Sequence, residues 1–280
     1  MNVSSTTLAI MAPESAMLED LIVAQCPGPP LLRPRVEVFA RLESTNRYLL
    51  ETARETEEPS PRVCLALEQS AGRGRRGRAW LGRERDGLAL SLAWPLPPGT
   101  QVPAAYPVGA GLALIHALES LGYTGIGLKW PNDLMVGTAK LAGILVEQRA
   151  PRGPEPGCLV VGLGVNRRGA AGLGLEREVT DLAALGVAEP PEPLPLAAAV
   201  AAAQWRLHET LMTRGLAPFR KELERHDSLR GRPVEILDTG ERVRAERIDP
   251  DSGCLCVRTE AGERRWLHSG EVSVRGRADA

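Results

Sequence analysis

The chain lacks three things that would each have set its class at once. No apolar run approaches the ~18 residues of a membrane span, and Met1 to Met17 carry no Lys or Arg, so neither a membrane segment nor a secretory signal is expected. There is no excess of charge. The 34 Lys and Arg against 35 Asp and Glu leave a net of −1, which argues against a protein that lives mainly by coating nucleic acid. Nor is there a cysteine framework. Cys26, Cys64, Cys158, Cys254 and Cys256 are scattered and odd in number, and no second pair accompanies Cys254 and Cys256 at zinc spacing. They read as buried or free thiols of a protein in a reducing cytoplasm. Internal repeats are absent, and low complexity is confined to the alanine-rich helix at Ala197–Ala203.

What is present is ordinary in bulk. A chain of 280 residues, 43% hydrophobic and 25% charged, suits a soluble globular protein with a sizeable core and more than one domain. One stretch is not ordinary: Gly72-Arg73-Gly74-Arg75-Arg76-Gly77-Arg78. Arginines repel one another, and glycines cost backbone entropy when ordered. Guanidinium forks suit carboxylate and phosphate oxygens, and glycine lets backbone N–H groups approach a ligand. Such a loop is expected to stay open until an anion draws it together, although a solvated basic turn is the plainer reading. The spacing of Gly72, Gly74 and Gly77 also fits G-x-G-x-x-G. That dinucleotide fingerprint needs a helix opening at the loop and an acidic residue roughly twenty positions on. Ala79-Trp80-Leu81-Gly82 follows instead, and no carboxylate stands near Pro97-Pro98. The Rossmann reading is rejected.

Along the chain, residues 1–34 end in a proline-rich run and show little periodicity. Leu18, Leu21 and Ile22 allow one short helical turn, and partial disorder is expected. Val36 to Leu42 alternates as a strand, and Ser44-Thr45-Asn46 suits a helix N-cap. Three polar side chains at a helix N-terminus could equally meet a polar ligand. Strands are expected at Val63–Leu67, Leu88–Trp94 and Leu159–Val165, the last closing at Asn166. A long, mostly apolar helix at Ala104–Leu121 is expected to be central. Pro131-Asn132-Asp133 is turn chemistry, with a hairpin from Leu134 to Glu147 and Lys140 at its mouth. Helices follow at Leu194–Thr213 and from Ala217 to about Glu224. His116 and His208 fall within helices and read as structural. After Asp227 come five short strands, Pro233–Leu237, Val243–Ile248, Cys254–Thr259, Arg264–His268 and Glu271–Val274, a small β-barrel domain.

Four stretches in one order are more specific together than any alone. They are Ser44-Thr45-Asn46, Gln69-Ser70-Ala71 running into the arginine loop, Lys129-Trp130-Pro131-Asn132-Asp133, and Lys140-Leu141-Ala142-Gly143-Ile144-Leu145-Val146-Glu147. The chain resembles the biotin protein ligases (biotin–[acetyl-CoA-carboxylase] ligases) from about Val36 to Val274. The resemblance implies an α+β fold: residues 1–34 an extension, 35–227 a mixed sheet backed by helices, and 228–276 an SH3-like barrel. The winged-helix repressor domain of the bifunctional members is missing, so no DNA binding is expected.

The resemblance further implies that biotin and MgATP give biotinyl-5′-adenylate, which a lysine of a biotin carboxyl carrier protein then attacks. Lys140, Arg75 and Asp133 take the catalytic positions, with Asp133 also the candidate Mg²⁺ ligand. The biotin-binding positions are Ser44, Thr45, Asn46, Gln69, Gly72, Arg73, Gly74, Arg75, Lys140 and Gly143. The nucleotide positions are Arg75, Arg78, Trp80, Asn132 and Asn166. Monomer and homodimer are both left open. Lipoyl or octanoyl transfer on the same fold is the nearest rival. A non-catalytic biotin-responsive regulator is the rival from another class, disfavoured because no aromatics interleave with the basic run.

Overall fold

The computed structural model describes residues 9–26, 33–52, 60–81, 86–151, 156–174, 177–187, 189–269 and 274–276. The chain divides into two compact units. One comprises Met1–Thr100, Leu145–Gly174 and Asp181–Ala202; the other comprises Gln101–Ile144, Leu175–Thr180 and Ala203–Ala280.

In chain order the main elements are α1 (Ala12–Gln25), β1 (Arg35–Leu42), α2 (Thr45–Thr52), β2 (Arg62–Gln69), β3 (Gly87–Leu96), α3 (Tyr106–Ser120), β4 (Gly127–Lys129), β5 (Asp133–Val136), β6 (Ala139–Arg149) and β7 (Gly157–Asn166). They continue with α4 (Pro193–Arg214), α5 (Arg220–His226), β8 (Pro233–Ile236), β9 (Glu241–Ile248), β10 (Leu255–Thr259), β11 (Arg264–Leu267) and β12 (Val274–Gly276). The first seven strands form a mixed sheet in the order β1-β2-β3-β7-β6-β5-β4. Strands β1 and β2 pair in parallel, whereas β2–β3, β3–β7, β4–β5 and β5–β6 are antiparallel.

In the first unit, β2 is buried along most of its length, which is why it reads as a continuous apolar run rather than an alternating one. Helix α2 packs on β2, β3 and β7, where Leu49 joins Phe39, Leu42, Cys64, Ala66, Ala93, Cys158 and Val160 in one core. The N-terminal segment departs from expectation. It forms a fourteen-residue helix, α1, rather than a single turn, and lies along β1. Leu18, Ile22 and Ser15 are its buried residues. Met11 N–H donates to the Val38 carbonyl (2.8 Å), and Val38 N–H donates to Ser15 Oγ (3.0 Å). The helix therefore caps part of β1, and tertiary contact rather than its own weak pattern stabilises it.

In the second unit α3 is buried on almost every face, as expected of a central helix. Gln204 donates to the Ala110 carbonyl (2.8 Å), and the Tyr106 hydroxyl meets His208 Nδ1 at 2.7 Å. Burial lowers the His208 pKa to about 4, so the ring is a neutral structural partner. Strands β8 to β12 form a separate antiparallel sheet in the order β11-β10-β9-β8-β12, the expected small SH3-like domain. Its last strand is Val274–Gly276; of the expected Glu271–Val274, residues 271–273 lie outside the described ones. All four cysteines of the strands and core are buried thiols, and Cys26 is half-buried.

Candidate active site

The residues singled out from sequence fall into two groups, one in each unit. In the first, Ser44 precedes α2, and its carbonyl accepts the Tyr48 N–H at 3.0 Å as a helix N-cap should. Thr45 and Asn46 follow at the first helical positions, and all three side chains are buried. Gln69, at the end of β2, accepts from Thr45 N–H (2.8 Å) and lies 3.1 Å from the Thr45 hydroxyl through the same oxygen. Asn46 donates both amide protons to the scaffold, to the Leu145 carbonyl (3.1 Å) and to Glu147 (3.0 Å). Ser91, fully buried on β3, lies 2.6 Å from both the Thr45 hydroxyl and Asn46 Oδ1. Each hydroxyl carries one proton, so the network has few ways to orient itself.

The arginine loop is a small hairpin. Trp80 N–H donates to the Gly72 carbonyl (2.9 Å), Gly74 N–H to the Arg78 carbonyl (2.7 Å), and Arg73 pairs with Ala79. A tight 3-10 turn over Arg75–Gly77 closes it, with Arg76 left-handed at φ 55°. The turn, not simple alternation, sets which way each guanidinium faces. Gly72 is where the two strands meet: a Cβ there would lie 2.4 Å from the Trp80 carbonyl oxygen and 2.8 Å from Gln69 Nε2. Arg73 is bound by Glu147 at 2.9 Å. Asn166 is buried at the end of β7, and its carbonyl accepts Leu182 N–H (3.1 Å).

In the second group Lys140 is not at the surface of the hairpin mouth. It sits in β6 with its side chain about one-tenth exposed, and its ammonium lies 2.5 Å from Asp133. Burial pulls its pKa below the ordinary lysine value, and the Asp133 charge works in the opposite direction. The strand around it is fixed on both sides. Met135 is its partner across the hairpin, while Lys140 N–H donates to Glu178 O (3.0 Å) and Thr180 N–H to Lys140 O (3.0 Å). Asp133 pairs in register with Gly143 and with Lys129. Asn132 donates its amide to the Ile144 carbonyl (2.7 Å), and its own carbonyl accepts Ile144 N–H (2.9 Å). Trp130, fully buried, donates its indole N–H to the Gly253 carbonyl of the small domain (2.9 Å).

One unit thus holds a hydroxyl–amide network at a helix N-terminus and a basic hairpin, and the other holds a buried cation paired with a carboxylate. The profile of the Biotin/lipoate A/B protein ligase family matches residues 38–166, and that of the Biotin protein ligase C terminal domain matches residues 230–275. A biotin–[acetyl-CoA-carboxylase] ligase from Paracoccus denitrificans is 35% identical over 249 residues, spanning 85% of this chain and 100% of its own. The chain belongs to the biotin protein ligase family. Its fold is that of the biotin protein ligase from Aquifex aeolicus in complex with biotin and ATP (TM-score 0.70, 24% identity, 86% of this chain and 99% of that one). A biotin acetyl coenzyme A carboxylase synthetase from Helicobacter pylori, solved with bound biotinylated ATP, is 28% identical with a TM-score of 0.57, covering 82% and 98% of the two chains.

Within this biotin protein ligase fold, four contributors carry no role in the sequence reading: Ser91, Glu147, Gly162 and Gly164. The two glycines occupy alternate positions of β7 and so share a face. A Cβ at Gly162 would lie 2.1 Å from Asn46 Oδ1, and one at Gly164 would lie 2.3 Å from the Trp80 ring. They are the spaces into which the amide and the indole fit. A signal existed, since paired glycines inside a strand mark close approach. Ser91 had a weaker one, a lone hydroxyl within the apolar run of β3.

Proposed function

We propose that this protein activates biotin with ATP to biotinyl-5′-AMP and transfers the biotinyl group to a lysine of the carrier domain of an acetyl-CoA carboxylase. A biotin carboxylate oxygen attacks the α-phosphorus, the bond to the β-phosphate oxygen breaks, and pyrophosphate leaves. The carrier amine then attacks the acyl carbon, loses a proton and expels AMP. Both partners of the first step are anions, so the enzyme's task is positioning and charge compensation. The observation that carries this reading is Lys140, a buried ammonium held on a rigid strand by Asp133 in a chain of this family.

Ser44, Thr45, Asn46 and Gln69 would take the ureido end. With both Asn46 protons donated to the scaffold, that residue meets a ureido N–H through Oδ1. Gly72, Arg73, Gly74 and Arg75 would close over the ligand, with Arg78, Trp80, Asn132 and Asn166 toward the nucleotide and Gly143 beside Asp133. No group of three or more metal-ligating side chains comes together among the described residues. Mg²⁺ fits here as an ion carried by the phosphates, with Asp133 as the nearby carboxylate; it would supply charge neutralisation. Residues 35–227 act as the catalytic domain and 228–276 as the accessory barrel.

The test is purified protein with a carrier domain, ATP, Mg²⁺ and either biotin or lipoate. Release of pyrophosphate and a biotinyl mass gain on the carrier are expected. A ligand at ~100 times its Kd adds about 2.7 kcal/mol of stability, so biotin with ATP should raise Tm by several degrees more than biotin alone. A larger response to lipoate would overturn the reading.

A further inference from the structure

Glu147 bridges two parts of the first group, the start of α2 and the basic hairpin. One of its oxygens accepts from Asn46 Nδ2 at 3.0 Å, and the other is 2.9 Å from Arg73 Nη2. The first partner is buried at the start of α2, where its orientation is further fixed by Leu145 and Ser91. The second is on the basic hairpin and half-exposed. Glu147 itself is mostly covered, with its side chain 22% exposed.

From this geometry we infer that Glu147 is a positioning residue, a single carboxylate that orients the polar end of the acyl pocket through Asn46 and ties the hairpin to it through Arg73. The inference rests on the ligase reading above. The two arms differ in strength for a physical reason. The contact to Asn46 is a charge-assisted bond to a buried amide, whose loss leaves a buried N–H without a partner. The contact to Arg73 is a largely solvated ion pair, and solvent screening makes it weak. Removing the carboxylate therefore harms acyl-substrate recognition more than it loosens the hairpin.

A glutamine separates the arms. Gln keeps one oxygen and replaces the other by NH₂. The buried Asn46 amide takes the oxygen, and the new NH₂ faces the Arg73 guanidinium, which it cannot bond. Glu147→Gln should keep a near-native KM for biotin yet release biotinyl-adenylate a few-fold faster. Glu147→Ala should do both: KM for biotin rises by about tenfold or more, and adenylate escapes faster. In an Arg73→Ala background the effect of Glu147→Ala on escape should vanish, while its effect on KM persists.

The measurements are KM and kcat for biotin-dependent pyrophosphate release and the off-rate of preloaded adenylate, with Tm recorded for each variant. Identical behaviour of Glu147→Gln and Glu147→Ala in both readouts would overturn the inference, as would additive effects on escape in the double mutant. A loss of Tm alone, with KM and off-rate unchanged, would reduce Glu147 to a structural residue. A wild-type protein that forms no biotinyl-adenylate overturns the parent reading first, and this one with it.

Discussion

The Lys140 ammonium and the Asp133 carboxylate meet at 2.5 Å across the β5–β6 hairpin, one strand apart and in a mostly buried position. The pair resolves a conflict. Burial alone disfavours a charged lysine, and the carboxylate offsets part of that cost. Lys140→Ala should lower the rate of adenylate formation by roughly 10²-fold or more, while biotin affinity without ATP weakens less. Pyrophosphate release beside equilibrium biotin binding decides it; equal losses would make Lys140 a binding residue only.

Asp133→Asn tests the electrostatic half of that pair. Removing the carboxylate removes the influence that raises the Lys140 pKa and leaves desolvation, which lowers it. The alkaline limb of the adenylation pH–rate profile should therefore move to lower pH. The same lowered pKa has a stability consequence. Between its folded value and the ordinary 10.5, the unfolded chain binds the proton and the folded one does not. Stability from this group therefore rises with pH across that window. Lys140→Met should flatten the rise, which Tm measured against pH would reveal.

Gly162 and Gly164 make a paired prediction. Gly162→Ala places a methyl where Asn46 Oδ1 lies, and should raise KM for biotin with little change in KM for ATP. Gly164→Ala pushes against the Trp80 ring and, if Trp80 packs near the adenine, should do the reverse. Steady-state kinetics with each substrate varied will separate them. Matching losses in both constants would show that β7 has simply been distorted.

Arg75→Gly and Arg76→Gly differ in the hairpin turn. If Arg75 donates to the adenylate phosphate as proposed, that charge-assisted bond would be worth about 1.5–3 kcal/mol, and its loss should speed escape by roughly 10–100-fold. The result would be labelling of bystander proteins. Arg76 occupies the left-handed region at φ 55°, where glycine is unstrained, so Arg76→Gly should leak less and be no less stable. Mass spectrometry of a mixed protein pool gives the comparison.

Trp130→Phe keeps a ring in the core and removes the donor to Gly253. A buried carbonyl left without its partner costs about 1–3 kcal/mol, so Tm should fall by several degrees. An unchanged Tm would show that water takes the place of the indole N–H.

The elements most legible in the sequence are those whose physics is local. The apolar runs of β2, β3 and β7, the buried helix α3 and the turn chemistry at Pro131–Asp133 all formed where their periodicity and turn residues put them. The order of motifs likewise pointed to the residues around Lys140 and Ser44. Three matters were decided by tertiary structure. Helix α1 has too few apolar positions to declare itself, and exists because β1 offers it backbone partners and a surface. Lys140 reads from its neighbours as a hairpin-mouth lysine; only the pairing of β5 with β6 and the flanking Glu178–Thr180 segment make it a buried cation beside Asp133. Glu147 is 101 residues from Asn46 and 74 from Arg73, separations at which sequence spacing carries no geometry. One carboxylate serves both because β6 brings it between α2 and the basic hairpin, a consequence of strand order that local residue patterns do not encode.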